Sequence, residues 1–241
     1  MPLNANEFSR LHDRFADVLH RIETAARAAG RDAQDIALIA ITKTHPVEML
    51  RAALDLGAKD FGENRVQEAE QKIADVGNAV RWHLVGHLQA NKARRAVKLF
   101  DCIHSVDSSE LARRLDRLCA EEGRDALDVL VQIDLGGEAT KTGIDSANLP
   151  ALLATLKECP RIKLIGLMTL PPFFDNPDCS RPFFKTLREL RDSLKLEGHF
   201  GSLKGELSMG MSHDFEVAIA EGATMVRVGT ALFGARGVPV S

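Results

Sequence analysis

The stretch IALIAITKTHP, residues 36–46, decides how the rest of the chain is interpreted. Positions 36–41 are all apolar, and Thr42 follows them directly. A short apolar run of this kind is typical of a strand that is buried on both faces. Such strands occur in parallel sheets whose two faces are covered by helices. The run ends on Lys43, so an amine lies just beyond the end of a buried strand.

The same pattern, a short apolar run and then an amphipathic segment, recurs along the chain. Strands are predicted at residues 36–42, 60–62, 82–85, 102–105, 129–134, 162–168, 206–208 and 225–228. Helices are predicted after the first seven, for example at residues 46–56, 65–76 and 108–121, and the eighth strand runs into a shorter helix. This alternation indicates a parallel sheet, because parallel neighbours need a crossover connection.

Eight such units without a linker predict a single (β/α)8 TIM barrel, an α/β fold that forms one domain over residues 1–241. Residues 1–30 are predicted to add an N-terminal helix packed on the barrel, because apolar residues recur at helical spacing from position 4 onward. Gly30 can close that helix in a left-handed conformation. A doubly wound open sheet is the competing architecture, but no glycine fingerprint follows the first strand.

Composition excludes several classes of protein. The 241 residues carry a net charge of −3 with both signs interspersed, which gives no general attraction to nucleic acid or anionic membrane. We find neither the apolar segment of a secretory signal nor a run long enough to span a bilayer. The four cysteines are scattered, so neither a zinc site nor a disulfide framework is indicated. We therefore expect a cytoplasmic protein, and a monomer because no interface segment is apparent.

Reactive side chains in a parallel barrel lie in the loops that follow the strands. Lys43 follows the first strand, Asn64 follows the second, and His83 lies within the third with His87 just after it. Other lysines precede strands and are expected at the opposite, stability face of the barrel: Lys59, Lys163 and Lys204.

The loops after the last two strands resemble an anion cradle. In SMGMSHD, residues 208–214, Ser208 and Ser212 supply hydroxyls, and Gly210 allows close approach of the backbone. Ser212 is also expected to cap the helix that begins there. In VRVGTALFG, Gly229 and Thr230 place backbone N–H groups at a helix N-terminus, which suits a phosphate. Ordinary turns and caps remain the alternative.

An amine opposite a phosphate cradle fits pyridoxal 5′-phosphate (PLP), held as a Schiff base on Lys43. Partial burial favours the neutral, nucleophilic form of a lysine at such a position. Arg227 is then expected to face the pyridine nitrogen, to keep it unprotonated and so to weaken the ring as an electron sink. The alternatives are a strand-end Lys43 that only extends to solvent, and Lys141 in the glycine-rich loop after the fifth strand.

Several long motifs occur together and in order: AITKTHP, FGENRVQEAEQK, WHLVGHLQANKAR, HSVDS, GLMTL, LSMGMSHDFEVAIAEGAT and VRVGTALFGAR. Over nearly the whole chain after the first helix they closely resemble the YggS/PROSC family of pyridoxal phosphate homeostasis proteins. The resemblance implies a one-domain barrel similar to the N-terminal domain of bacterial alanine racemase. It also implies PLP on Lys43, the ring nitrogen near Arg227, Asn64 beside the cofactor, and the phosphate near Ser208, Gly210, Ser212, Gly229 and Thr230.

Two residues depart from the family pattern. Arg65 stands where the family commonly has tyrosine, and Thr42 stands where it commonly has serine. Neither is one of the expected anchors, so they affect only local packing and the rim of the site.

Two functions from different classes fit the resemblance. The first is a carrier that captures the reactive aldehyde and hands it to apo-enzymes, without turnover of its own. The second is a small amino-acid racemase, but alanine racemase uses a tyrosine from a second domain, and this chain has no tyrosine. A substitute proton donor would have to come from His83, His87, Cys102 or Lys141. The carrier is therefore favoured.

Three other features have simpler interpretations. His83 and His87 are four apart on an extended strand and share no helical face, so we expect no metal, and His83 is expected to line the cofactor pocket. The basic residues 91–98 are expected to form a solvated helix face, since no aromatic residues interleave with them. In the proline-rich residues 170–184 the phenylalanines are expected to pack against the barrel, with a lid or partner surface as the alternative.

Overall fold

The computed structural model describes residues 3–77, 79–137 and 142–234. Within them eight parallel strands form a closed barrel in chain order, in which the first strand pairs with both the second and the eighth. Closure confirms the (β/α)8 barrel and rules out an open, doubly wound sheet. Lys141, the alternative amine, lies outside the described residues.

Every predicted strand is present. The strands are β1 Ala37–Ile41, β2 Asp60–Glu63, β3 Arg81–Leu84, β4 Cys102–Val106, β5 Leu127–Gln132, β6 Ile162–Met168, β7 Glu206–Met211 and β8 Met225–Val228. The largest difference is in β7, which continues three residues past the predicted end at Ser208. Its pairing with β8 is irregular between Ser208 and Met211, so the motif SMGM is a distorted strand and not yet a loop.

The helices also follow the predicted alternation. They are α1 Ala5–Ala28, α2 Val47–Asp55, α3 Val66–Val76, α4 Ala93–Leu99, α5 Ser109–Glu121, α6 Leu149–Lys157, α7 Arg181–Leu196, α8 Phe215–Ala220 and α9 Thr230–Phe233. Helix α1 begins with a capping box in which Asn4 and Glu7 satisfy each other's backbone N–H groups. After its last turn Gly30 has φ 65°, as predicted. None of the described helices is long and apolar enough to cross a membrane.

Two separate apolar cores support the barrel. The larger one lies between the sheet and the helices. The smaller one fills the barrel interior with residues from five strands and one residue that follows β3: Ile39, Ile41, Val85, Cys102, Leu130, Ile165, Met168 and Met225. Side chains of a strand alternate between the two sides of the sheet, so every second residue of each strand points into the barrel. This alternation determines which polar residues can meet inside.

Helix α1 packs across the helices that follow β7 and β8. Arg21 forms an ion pair with Glu216 of α8 at 2.5 Å, and Arg31 donates a hydrogen bond of 2.9 Å to the Ile219 carbonyl. Arg14 donates to the Phe233 carbonyl at the end of α9, at 3.2 Å. The N-terminal helix is therefore packed on the barrel, as expected, beside the elements that carry the predicted anion cradle.

Two surface predictions have different outcomes. The basic residues of α4 form ion pairs with exposed or partly exposed carboxylates of α3 and α5, as in Arg95–Glu70 at 3.2 Å, which fits a solvated helix face. In the segment 170–184 Phe184 is buried, but Phe173 is 74% exposed and contacts the His213 ring. The expectation that all these phenylalanines pack against the barrel is therefore wrong for Phe173, because its loop is held against His213 in the loop after β7.

Candidate functional site

Lys43 lies at the mouth of the barrel, two residues beyond the end of β1. Ile39 and Ile41 point into the barrel interior, and Lys43 is the next residue in that alternation. It is half-buried. The following residue, Thr44, has φ 67°, a left-handed conformation that is strained for a β-branched residue. Such strain persists only where neighbouring contacts hold the backbone.

The contacts that hold this backbone come from outside the sheet. Lys72 of α3 donates 2.6 Å hydrogen bonds to the Thr42 carbonyl and to carboxylate oxygens of Glu63 and Glu68. Thr42 also donates its hydroxyl to Glu63 at 2.5 Å, and the Thr44 backbone N–H donates to Glu68 at 2.5 Å. We call Thr42, Glu63, Glu68 and Lys72 the Lys72 cluster. It fixes the backbone on both sides of Lys43.

The two carboxylates of the Lys72 cluster have opposite pKa shifts. Burial raises the pKa of Glu63, and this outweighs the hydrogen bonds from Lys72 and Thr42. Its second oxygen, Oε2, is buried without a hydrogen-bond partner among the described residues. For Glu68, burial also acts to raise the pKa, but hydrogen bonds from Lys72 and the Thr44 N–H lower it overall. Glu63 therefore carries most of the desolvation cost.

Arg227 lies on β8, the other strand that borders β1, and pairs in register with Ile39. Its NH1 donates to Ser208 Oγ at 2.6 Å, and its NH2 donates to the Thr169 carbonyl at 2.9 Å. It is almost fully buried and forms no ion pair with any residue that the structure describes. Burial lowers the pKa of Arg227 to about 10, so it remains a cation at neutral pH. A charged guanidinium thus lies inside the barrel on the strand next to Lys43.

From Ser208 a series of hydrogen bonds continues through the barrel. Ser208 Oγ lies 2.9 Å from His104 Nδ1, and His104 Nε2 lies 2.9 Å from His83 Nδ1. His83 Nε2 lies 2.9 Å from Asp60 Oδ1, at the start of β2. We call Arg227, Ser208, His104, His83 and Asp60 the Arg227 chain. Burial lowers the pKa of His104 well below its ordinary value, and the positive charge of Arg227 adds to the effect.

The loops after β7 and β8 are joined by Ser212. Its hydroxyl accepts hydrogen bonds from the backbone N–H groups of Gly229 at 3.1 Å and Ala231 at 3.2 Å. Ser212 therefore caps α9, and the prediction that it caps the helix after β7 is wrong. That helix, α8, begins only after Asp214, whose carboxylate accepts from the Met211 N–H at 2.7 Å.

The two glycines of the predicted cradle have different roles. Gly210 has φ 88°, and an added Cβ would lie 2.6 Å from Ala218 Cβ, so this glycine allows α8 to approach β7. A Cβ on Gly229 would lie 3.4 Å from Ile41 Cβ, at the end of β1. Ser212, Gly229 and the exposed Thr230 are therefore brought together near Lys43, whereas the Ser208 hydroxyl is buried inside the barrel with Arg227.

The remaining predicted residues fall on the loops after β2 and β3. Asn64 is half-buried, and Gly86 packs so closely against it that an added Cβ would lie 2.4 Å from the Asn64 carbonyl oxygen. His83 is buried inside the barrel, whereas His87 is exposed and lies 3.7 Å from a carboxylate oxygen of Asp107. The two histidines are thus separated, as the extended strand predicted.

One group of described residues has the composition of a metal site. His83, Cys102 and His104 are all buried, and their potential ligand atoms lie within 4.8 Å of one another. However, the facing ring nitrogens of the two histidines are engaged with each other at 2.9 Å. Burial also raises the pKa of the Cys102 thiol far above its ordinary value, which keeps it protonated, while a metal requires the thiolate. The geometry therefore favours a hydrogen-bonded pair.

Sequence reasoning missed His104, Asp60 and the Lys72 cluster. His104 occupies an inward position of β4 between Cys102 and Val106, so a polar residue in an apolar strand was the available signal. The i, i+4 spacing of Glu68 and Lys72 on α3 was a second signal, although the same spacing is common on exposed helix faces. Nothing in the spacing indicates that Asp60 and His104 belong to one network.

Comparison with known families places the chain among barrel proteins related to alanine racemase. The family model described as alanine racemase, N-terminal domain, matches residues 16–237. A pyridoxal phosphate homeostasis protein of Aquifex aeolicus is 44% identical over 225 residues, covering 93% of this chain and 97% of the relative. The protein of the same name in Pseudomonas aeruginosa is 42% identical over 236 residues, covering 97% of this chain and 100% of the relative.

Solved structures give a similar result. The structure of PipY from Synechococcus elongatus PCC7942 with PLP bound superimposes with a TM-score of 0.80 and is 40% identical in sequence. The match covers 93% of this chain and 100% of that chain, so the likeness extends over the whole barrel.

Proposed function

The chain belongs to the family of pyridoxal phosphate homeostasis proteins, and from this premise we propose that it binds PLP at the mouth of its barrel, covalently through Lys43, and keeps it available to other proteins. The observation that carries the proposal is the placement of Lys43, two residues beyond the end of β1, near Arg227 on the neighbouring strand β8, which points into the barrel. PLP supplies an aldehyde that reacts with amines, together with a ring nitrogen and a phosphate.

The residues present fit these three groups. Lys43 offers the amine, and the Lys72 cluster fixes the backbone beside it. Arg227 offers buried N–H donors toward the ring nitrogen. Ser212, Gly229 and Thr230 lie together beside the end of β1. The hydroxyl groups of Ser212 and Thr230 suit a phosphate, whereas the Gly229 N–H donates to Ser212.

Several predicted contacts take more specific roles in this proposal. We assign Ser208 to the Arg227 side of the site, because its hydroxyl is buried between Arg227 and His104. His83 acts only through the Arg227 chain. Gly210 shapes the loop by admitting α8, and Asn64 borders the cofactor from the β2 side.

Arg227 favours a carrier over a racemase. A guanidinium only donates hydrogen bonds, so a ring nitrogen facing it must accept and stay unprotonated. An unprotonated ring stabilises negative charge poorly, whereas racemisation requires such stabilisation at the α-carbon. Arg227 therefore suits the holding of PLP better than turnover.

The candidate proton donors also favour the carrier. Both ring nitrogens of His83 are engaged inside the barrel, and burial raises the pKa of the Cys102 thiol, which makes it a poor acid. His87 is exposed and next to Asp107.

We propose a one-domain, monomeric, cytoplasmic protein without turnover of its own, whose recipients are apo-enzymes that use PLP. A closed barrel leaves no free sheet edge, which fits a monomer.

The anchor is tested by loading the protein with PLP, reducing it with borohydride and sequencing the labelled peptides by mass spectrometry. We expect the label on Lys43 in the wild type and no label in Lys43→Ala. Lys59→Ala is the matched control, because Lys59 lies at the opposite end of the barrel, and it should be labelled like the wild type. A label that persists in Lys43→Ala would refute the assignment.

The carrier role is tested with two assays on the loaded protein. Mixing with an apo-enzyme should activate that enzyme faster than the release of free PLP allows. Incubation with alanine in deuterated water should give no saturable exchange of the α-hydrogen. Saturable exchange would instead support the racemase alternative.

A further inference from the structure

We propose that Asp60, His83 and His104 are positioning residues for Arg227, and that the Arg227 chain has one fixed proton order from the mouth of the barrel to its base. The order itself follows from the hydrogen-bond partners alone. Its effect on the bound cofactor rests on the proposed function.

The mouth end of the chain sets the first donor. A guanidinium has no acceptor, so Arg227 must donate to Ser208 Oγ at 2.6 Å. The hydroxyl hydrogen of Ser208 is then free to point to His104 Nδ1, 2.9 Å away. Because the hydroxyl oxygen has two lone pairs, Ser208 could instead accept from His104 Nδ1, so this contact alone does not fix the tautomer of His104.

The base end of the chain decides the order. A carboxylate only accepts, so His83 must carry its hydrogen on Nε2, which faces Asp60 at 2.9 Å. In a neutral ring His83 Nδ1 is then an acceptor, and His104 must donate to it from Nε2. His104 Nδ1 then carries no hydrogen, so Ser208 donates to it while accepting from Arg227. The lowered pKa of buried His104 agrees with a neutral ring.

The Arg227 chain connects Arg227 to the Asp60 carboxylate through hydrogen bonds, without direct contact between the two. A carboxylate against the guanidinium would accept two of its N–H groups and neutralise much of its charge. Here three uncharged side chains stand between Asp60 and Arg227. The charge and the remaining N–H groups of Arg227 are thereby left for the site, while Ser208 and the Thr169 carbonyl fix its orientation.

The base of the chain is close to solvent. Asp60 lines a cavity of about 610 Å³ at the start of the strands, together with Lys59 and Arg81. This face is opposite to the mouth where Lys43 lies. A substitution of Asp60 therefore tests positioning of Arg227 without changing a residue that would contact the cofactor.

The proton order is tested by ¹⁵N NMR of the protein labelled at histidine, without PLP and at neutral pH. We expect His83 and His104 to be neutral, each with its hydrogen on Nε2. A hydrogen on Nδ1 of either ring, a charged ring, or two rings joined by a metal ion would overturn the proposal.

The positioning role is tested with variants loaded with PLP. His104→Phe breaks the chain, and we expect a shifted visible absorption band and about tenfold weaker PLP binding, the effect of one lost buried hydrogen bond. Cys102→Ala is the matched control, because Cys102 lies on the same strand and inside the barrel but outside the chain. It should keep the wild-type band. An unshifted band in folded His104→Phe would contradict the proposal.

A second pair of variants acts at the base. Asp60→Leu removes the terminal acceptor and should shift the absorption band, whereas Asp60→Asn retains an acceptor oxygen and should restore it. Equal bands in both variants would contradict positioning by Asp60, and this pair decides the matter if His104→Phe does not fold. A wild-type protein that binds no PLP would contradict the proposed function, while the NMR spectrum would still decide the proton order.

Discussion

The two sides of the site are held by networks of opposite character. On the β1 side, the Lys72 cluster holds the backbone around Lys43 from outside the sheet with one cation and two carboxylates in contact. On the β8 side, the Arg227 chain holds the guanidinium from inside the barrel, with Ser208, His104 and His83 between Arg227 and Asp60. The comparison shows that the candidate site is held in two ways: ion pairs fix the backbone beside an amine, and hydrogen bonds fix a guanidinium.

The difference has energetic consequences. Charges in contact and out of water attract strongly but are costly to desolvate, so the loss of one partner leaves an uncompensated buried charge. Each hydrogen bond between uncharged groups in the Arg227 chain contributes less to the free energy of unfolding than a buried ion pair does. We therefore expect single substitutions to lower the free energy of unfolding more on the β1 side. On the β8 side the hydrogen-bond network should depend more on which atom carries each proton.

The largest effect is expected for Lys72→Met, which leaves the buried Glu63 carboxylate without a cation. The free energy of unfolding should fall by about 3–5 kcal/mol, the usual cost of breaking a buried ion pair. Urea unfolding followed by circular dichroism measures the change. Adding Glu63→Gln to Lys72→Met is the control, since it removes the buried charge and should recover part of the loss. No recovery in the double variant would show that desolvated charge is not the cause.

A steric prediction follows for the β8 side. Gly210→Ala combines φ 88° with a Cβ 2.6 Å from Ala218 Cβ, and it should lower the free energy of unfolding by about 2–4 kcal/mol. Gly57→Ala is the matched control, because Gly57 has φ 95° but no atom within 4 Å of an added Cβ. It should cost only about 1–2 kcal/mol, the strain of the left-handed backbone. Equal losses in the two variants would mean that contact with α8 is unimportant.

The two networks should also differ in their response to pH. Because the pKa of His104 is lowered from 6.5, the unfolded chain takes up a proton that the folded protein does not. Its contribution therefore makes the free energy of unfolding fall as the pH drops below 6.5, by up to about 1.4 kcal/mol per pH unit. The pKa of Glu63 is raised from 4.5, so its contribution to stability falls as the pH rises above 4.5.

Urea unfolding between about pH 5 and 6.5 separates these contributions of opposite sign. Relative to the wild type, His104→Phe should flatten the rise of stability with pH, and Glu63→Gln should steepen it or leave it unchanged. A steeper rise in His104→Phe would show that His104 is protonated in the folded protein.

The smallest effect is expected at Thr44, where strain is stored beside Lys43. Thr44→Gly accepts φ 67° without a Cβ penalty and keeps the N–H that donates to Glu68, so the free energy of unfolding should rise by about 0.5–1 kcal/mol. Thr44→Ala, which keeps a Cβ, should gain less. A loss of stability in Thr44→Gly would mean that the threonine side chain makes a contact worth more than the strain.

The fold was largely predictable because each strand of a parallel barrel is buried on both faces and therefore appears in the sequence as a short apolar run. The unbroken apolar run 36–41 and its seven counterparts fix the number of strands, and the glycines and caps between them fix the boundaries to within a few residues. The end of β7 was misjudged because SMGM has the composition of a turn, although hydrogen bonds to the neighbouring strands keep it extended.

The site was only partly predictable. Lys43 and Arg227 stand out because charged residues rarely end or enter buried strands. The partners of those residues come from distant positions, such as Asp60 and His104, whose meeting depends on which residues face inward around the whole barrel. Ser212 was assigned to the wrong helix because its partners, Gly229 and Ala231, are supplied by a later loop.

Because β1 pairs with β8, the barrel can close only after the eighth strand has been synthesised. A ribosome synthesises Lys43 long before Arg227, so a partly synthesised chain exposes the amine before the opposing guanidinium exists. Retention of the vitamin-derived aldehyde should therefore begin only after translation has passed the eighth strand. Nascent fragments would compete poorly for it, and newly made barrels would compete well.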